Sequence, residues 1–140
     1  MSEQPGHDSH TASGRAAITT LIVDDSPHWV RSLRTFLALH PVVDVVGVAG
    51  DGLEGLSMIA SLRPALVLLD AQMPRLGGLE AAPIIRDRFP DVTVVMMTAH
   101  RHPDLEVRCR ASGVRAIVAK SDVRPALLAA IGALFPDAQP

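Results

Sequence analysis

The sequence predicts an open α/β domain, a parallel sheet wound with helices on both faces. Three observations predict it. Short β-rich runs alternate along the chain with stretches whose apolar residues recur at helical spacing. The run Ala65 to Leu69 is continuously apolar and stops abruptly at Asp70, the pattern of a strand buried on both faces. The chain has 140 residues, 48% of them apolar and 20% charged, enough for one ordinary domain and its core. A net charge of −2 carries no basic signature for nucleic acid, and this apolar content excludes a disordered chain. Cys109 is the sole cysteine, so neither a disulfide framework nor a cysteine metal cluster is expected. With no apolar run of membrane-spanning length and no signal-peptide core, a soluble cytoplasmic domain is expected, with no membrane partner.

The first 17 residues are rich in Ser, Gly, His and Asp and read as a disordered leader, in which His7 and His10 are solvated rather than metal-binding. Ile18 to Val23 is the first strand and ends at Asp24-Asp25. Ser26 then suits an N-cap with Pro27 at the first helical position. Trp29, Val30, Leu33, Phe36 and Leu37 form the apolar face of that helix, which His40-Pro41 ends. Val42 to Ala49 reads as a strand, and Gly52 to Leu62 as a helix with Leu53, Leu56, Ile59 and Ala60 inward. Beyond the strand closed by Asp70, Pro74, Gly77 and Gly78 force a loop. A helix from about Gly78 to Arg88 follows, in which Pro83 is tolerable near the first turn and kinking if deeper. Val92 to Thr98 is a strand in which Met96 and Met97 fill space. A short helix near Asp104 to Ser112 stops at Gly113, a suitable C-terminal cap. Ala116 to Ala119 is the last strand, and Leu127, Leu128, Ile131, Leu134 and Phe135 mark a closing amphipathic helix. Five strands alternating with five helices require right-handed crossovers and predict the flavodoxin-like sheet order 2-1-3-4-5.

In such a sheet all strands end on one edge, where ligands bind. That edge collects Asp24, Asp25, Asp70, Thr98 and Lys120. Two carboxylates 4 Å apart repel by ~4 kcal/mol at an effective dielectric near 20, so three acids call for a cation. Oxygen ligands with few protein contacts suit Mg²⁺, completed by phosphate oxygens. Lys120 offers a compact positive charge and Thr98 a hydroxyl donor, both suited to a phosphoryl group. A metal plus an ammonium would keep Asp70 ionised and able to attack phosphorus.

The blocks LIVDDSPHWVRSLRTFL, VVGVAGDGLEGLSMI, LVLLDAQMPRLGGLE, VVMMTA and GVRAIVAK together resemble the response-regulator receiver domain of two-component signalling. The resemblance runs from about Thr19 to Phe135, placing a receiver at 18–136, the leader at 1–17 and a short tail at 137–140. It implies that Asp70 accepts a phosphoryl group from a histidine kinase or phosphotransfer protein. It also implies Mg²⁺ bound directly by Asp25, largely through water by Asp24, and by Asp70 and the backbone carbonyl of Gln72. Thr98 and Lys120 would contact the phosphoryl oxygens, and Gln72 and His100 would tune the lifetime of the phosphoryl group by gating water. A kinase would dock near the first helix through His28, Trp29 and Arg31. An effector, or a second copy, would meet the face of helix four, strand five and helix five. No turnover activity is expected beyond the domain's own phosphorylation and slow dephosphorylation. The block GVRAIVAK, without a proline after Lys120, is most similar to receivers that head helix-turn-helix transcription regulators.

Two departures from the family pattern stand out. The aromatic residue that receivers carry three positions before the lysine, and swing inward as the threonine moves, is Ile117 here. The chain also closes just past the last helix, which points to a stand-alone receiver working by docking or to an output module on another chain.

Each residue also has a plainer role. Asp70 could cap a turn, Asp24 and Asp25 could favour the positive start of the first helix, and Lys120 could be a solvated charge. Cys109 packs or faces solvent. The whole chain could be a degenerate receiver, a constitutive protein-interaction domain, as Ile117 suggests. Gly50-Asp51-Gly52-Leu53-Glu54-Gly55 also matches a dinucleotide fingerprint after a strand, with Asp70 twenty residues beyond Gly50. That remote alternative, a nucleotide-binding domain, leaves Asp24, Asp25, Thr98 and Lys120 unexplained. A phosphatase with an aspartyl nucleophile fits less well, since such sites resemble D-x-D and this chain has Asp70-Ala71-Gln72.

Overall fold

A computed structural model describes residues 17–138. The leader expected at residues 1–17, with His7 and His10, therefore lies almost wholly outside the described residues, as does the end of the tail. The strands are β1 (Ile18–Val23), β2 (Val43–Ala49), β3 (Leu66–Asp70), β4 (Thr93–Thr98) and β5 (Ala116–Ala119). Between and after them run α1 (Pro27–Leu37), α2 (Gly52–Leu62), α3 (Gly78–Arg88), α4 (Pro103–Ala111) and α5 (Val123–Leu134). All neighbouring strands pair in parallel in the order β2-β1-β3-β4-β5. The architecture is the expected five-stranded flavodoxin-like sandwich.

Strand alternation sorts the core into two layers. Leu21, Val23, Val67, Leu69 and Met96 face one way, against α2, α3 and α4 through Ile59, Ile85, Leu105 and Cys109. Ile22, Leu66, Leu68 and Met97 face the other way, against α1 and α5 through Leu33, Leu37, Leu127 and Ile131. Every residue of β3 is buried, which is why that strand reads as an unbroken apolar run.

Local chemistry explains most boundaries. Ser26 caps α1, its hydroxyl accepting from the Trp29 N–H, and Pro27 opens the helix. That helix stops at Leu37, earlier than His40-Pro41 suggests, because Leu39 and His40 turn back to the carbonyls of Phe36 and Leu37. Gly113 adopts φ +83, the left-handed state that ends α4 cheaply. Pro83 lies inside α3 rather than at its first turn, yet the helix runs on to Arg88. The missing proline N–H deprives the Leu79 carbonyl of its usual partner. The helix keeps its other turns because Ala81, Ala82 and Ile85 bury its inner face.

Helix α2 corrects one expectation. Leu53 is exposed and so is Ala60; the inward face is Gly52, Gly55 and Ile59, with Leu56 partly buried against the core. A Cβ on Gly55 would meet Val23 at 3.0 Å, so the helix backbone approaches β1 across a gap that only glycine leaves. The approach turns the larger leucine outward.

Candidate functional site

The carboxyl ends of β1, β3 and β5 converge on one pocket. Asp24 follows β1 and is buried; its Oδ1 accepts the Ser26 N–H at 2.9 Å. Its Oδ2 accepts from the Lys120 ammonium at 2.7 Å. Lys120 opens a 3-10 turn directly after β5, and its Nζ also lies 3.5 Å from Asp70 Oδ1. Asp25 is exposed and forms no ion pair with any described residue. One carboxylate oxygen from each of Asp24, Asp25 and Asp70 lies within 4.8 Å of the other two.

The electrostatics follow from that crowding. The Asp70 carboxyl is pushed up from 3.8 to about 6, chiefly by burial and then by the charge of Asp24. Lys120 and a hydrogen bond from the Gln72 backbone pull it back without cancelling the rise. One ammonium pairs with two of the three acids, leaving a net negative cluster. Both Asp24 oxygens are engaged, while the Asp25 carboxylate faces outward. This donor set fits a hard divalent cation that keeps most of its water.

The backbone below Asp70 is tightly held. Gly78 starts α3 so close beneath β3 that a Cβ would fall 2.1 Å from the Asp70 carbonyl oxygen, a contact only glycine avoids. The Gly78 and Leu79 N–H groups both donate to the Ala71 carbonyl. Sequence reasoning missed a second brace: Arg75, at φ +68 in the loop after Asp70, pairs with the buried Asp51. Asp51 caps α2 by accepting the Glu54 N–H at 2.9 Å, and this capping acid inside the glycine-rich stretch was the signal available in the sequence.

The same contacts bear on the dinucleotide fingerprint. The Gly50 N–H donates to Glu54 Oε1 at 2.7 Å and the Gly52 N–H to the Leu76 carbonyl at 2.9 Å. Two donors that would cradle a pyrophosphate are therefore taken. Gly52 is required by the close Leu76 carbonyl, which a Cβ would meet at 2.3 Å.

Thr98 closes β4 beside β3 and is buried, but its hydroxyl faces its own loop. It donates to the His100 carbonyl at 3.0 Å and lies 3.3 Å from the His100 N–H. Gln72 and His100 are exposed on the loops after Asp70 and Thr98. Ile117 pairs with Met96 across β4 and β5 and packs, partly buried, against the core. So Asp24, Asp25, Asp70 and Lys120 come together and Gln72 borders them; Thr98 ends the neighbouring strand with its hydroxyl on His100, and Ile117 lies on β5 opposite Met96. A groove of about 560 Å³ lined by Asp24, Asp25, Val30, Arg31 and Arg34 opens beside the acids along α1.

A doubly wound parallel sheet with an acidic pocket and one lysine at its carboxyl edge defines the class: a flavodoxin-like α/β domain with a candidate cation site. The family model for the response regulator receiver domain matches residues 20–132, and the chain belongs to that family. It is similar to the protein-glutamate methylesterase/protein-glutamine glutaminase of Pyrococcus horikoshii, 40% identical over 82 residues, which are 59% of this chain and 22% of that protein. It is also similar to the uncharacterized transcriptional regulatory protein YhcZ of Bacillus subtilis, 33% identical over 106 residues, covering 75% of this chain and 49% of that one. Among solved structures it resembles the response regulator domain of Thermotoga maritima CheB, with TM-score 0.79, 26% identity, and 86% and 97% of the two chains covered. The chain thus spans between about a fifth and a half of the length of these two curated relatives. Among the described residues no helix is long and apolar enough to cross a membrane.

Proposed function

We propose that this receiver takes a phosphoryl group onto Asp70 from a phosphohistidine donor in the cytoplasm, and that the modification switches a protein-binding surface. The observation that supports it best is the meeting of Asp24, Asp25 and Asp70 within 4.8 Å, with the Lys120 ammonium 2.7 Å from Asp24 and 3.5 Å from Asp70. Receiver domains bind Mg²⁺ at an acidic pocket of this kind. Here Asp25, Asp70 and the Gln72 carbonyl would hold the ion directly and Asp24 largely through water. When bound, the ion neutralises phosphoryl oxygens and lowers the proton affinity of the pocket.

The chain's own groups supply the rest. An Asp70 carboxylate oxygen attacks phosphorus, a P–O bond forms, and the P–N bond to the donor imidazole breaks, its electron pair staying on nitrogen. Lys120 meets the charge on the phosphoryl oxygens, and Thr98 turns its hydroxyl from His100 toward them. Positioning and charge neutralisation carry such a transfer. Gln72 and His100 border the path of hydrolytic water and would set the lifetime of the acyl phosphate. The donor would dock at the start of α1, where His28, Trp29 and Arg31 adjoin the acids. The switched surface would be α4, β5 and α5, offered to an effector or a second copy of the chain. The methylesterase and transcriptional roles in the relatives' names belong to those longer proteins; this proposal concerns the receiver.

A second reading has an observation of its own. With Ile117 packed where receivers carry a ring, and Thr98 bonded within its own loop, the domain would act as a constitutive docking module. Incubation with Mg²⁺ and beryllofluoride or acetyl phosphate separates the two. The switching receiver gains an adduct at Asp70, read by mass spectrometry, together with a rise in thermal midpoint; both vanish in Asp70→Ala. No adduct in the parent chain leaves only the docking module.

A further inference from the structure

We infer that Trp29 is a positioning residue for Lys120, its indole face keeping the ammonium in the pocket while that ammonium changes carboxylate partners. The inference rests on the phosphoacceptor reading above. It begins from composition: the chain has one tryptophan, three phenylalanines and no tyrosine, and the sole indole lies beside the pocket lysine. Lys120 Nζ lies 5.2 Å from the Trp29 ring centroid, within reach of the attraction between a cation and an aromatic face. A second pair runs alongside, Arg124 over Phe36 at 5.6 Å. Trp29 and Phe36 stand seven residues apart on α1, and Lys120 and Arg124 lie at and just beyond the turn into α5. The two rings thus face the two cations across the junction of α1 and α5.

The indole N–H sharpens the point. Trp29 Nε1 is buried and has no hydrogen-bond partner among the described residues. A buried donor without an acceptor is a cost that leucine or phenylalanine would avoid. The gain at this position must come from the ring. The ring also walls a groove of about 350 Å³ that runs from Lys120 past Ser32 and Phe36 to Val123 and Arg124. Without that wall the four-carbon lysine stem would have open space to swing into.

The geometry shows why a restraint is needed. The ammonium is closer to Asp24 than to Asp70, 2.7 Å against 3.5 Å. A cation held among the three acids weakens the claim of Asp24 on Lys120, which must then move to an oxygen carried by Asp70. A solvated lysine would be lost to water at that moment. An aromatic face attracts the ammonium without competing for a metal or a phosphoryl group, so it holds the charge near while leaving it free to shift.

The test is a double-mutant cycle read by Mg²⁺-dependent beryllofluoride affinity and by indole emission. Trp29→Leu is expected to weaken beryllofluoride binding about three- to thirtyfold, with Trp29→Phe in between, following the strength of the ring–cation contact. In a Lys120→Met background the same Trp29→Leu change should have no further effect. An equal loss in both backgrounds overturns the inference, because the indole would then be acting through packing alone. The sole tryptophan gives a readout without any ligand, since Lys120→Met should shift its emission in the metal-free protein. Unchanged emission overturns the ring–lysine contact while leaving the phosphoacceptor reading intact. If the parent chain takes no beryllofluoride at all, the phosphoacceptor reading itself falls. Trp29→Phe keeps the cycle readable should Trp29→Leu fail to fold.

Discussion

The two halves of the sheet's carboxyl edge are built differently. Around the ends of β1 and β3, contacts are already made: Asp24 is held by the Ser26 N–H and by Lys120 reaching in from the end of β5, and the Asp70 backbone is seated on Gly78. On the β4 side, the Thr98 hydroxyl is bonded to His100 within its own loop, and His100 itself is exposed. The first half is preassembled chemistry. Among the described residues the Thr98 hydroxyl has no bond to the acids or to Lys120, so it can turn without breaking their contacts.

Four expectations probe this contrast, the largest first. Gly78→Ala drives a methyl against the Asp70 carbonyl and should cost about 3 kcal/mol or more in urea unfolding, since neither backbone can yield. A neutral result would show that the braced half can relax. Lys120→Met should slow acetyl phosphate labelling about 100-fold, the usual loss on removing one preorganised charge from a transition state. A loss under threefold would place the phosphoryl charge elsewhere.

Asp70 gives the third. Its carboxyl titrates near 6 when folded and near 3.8 as its ordinary value, so between those limits the folded protein binds more protons than the unfolded chain. Stability present below pH 4 is therefore lost as pH rises through about 6, by roughly 2–3 kcal/mol. Asp70→Asn should remove that decline and be the more stable protein at pH 8, as measured by unfolding across pH. Added Mg²⁺ should recover part of the loss in the parent chain and none in the variant. The smallest effect is expected from Thr98→Ala, about 1 kcal/mol for the lost hydrogen bond to His100, with adduct formation at Asp70 retained. Loss of the adduct would join the two halves and end the contrast.

The sheet order and the pocket were legible because β1, β3, β4 and β5 are β-rich runs each closed by a polar residue, so chain order alone carries Asp24, Asp25, Asp70 and Lys120 to one edge. Side-chain orientation was not legible in the same way. Leu53 looks inward by spacing, yet the glycines of α2 let the backbone itself do the packing. The bond from Thr98 to His100 depends on a rotamer and a loop path that no residue pattern encodes. Arg75 and Asp51 are 24 positions apart in loops that only the tertiary fold makes neighbours. Trp29 reads as a docking residue from its place on α1; its contact with Lys120 appears only once the turn after β5 is in view.

The seating of Gly78 against the Asp70 carbonyl has a mechanical consequence. A main chain pressed onto a helix start cannot recoil when a bulky dianion is attached to its side chain. On the phosphoacceptor proposal Asp70 would then act as an anvil, and the displacement caused by the added group would have to be absorbed elsewhere on the rim, with the Thr98–His100 loop as the proposed place.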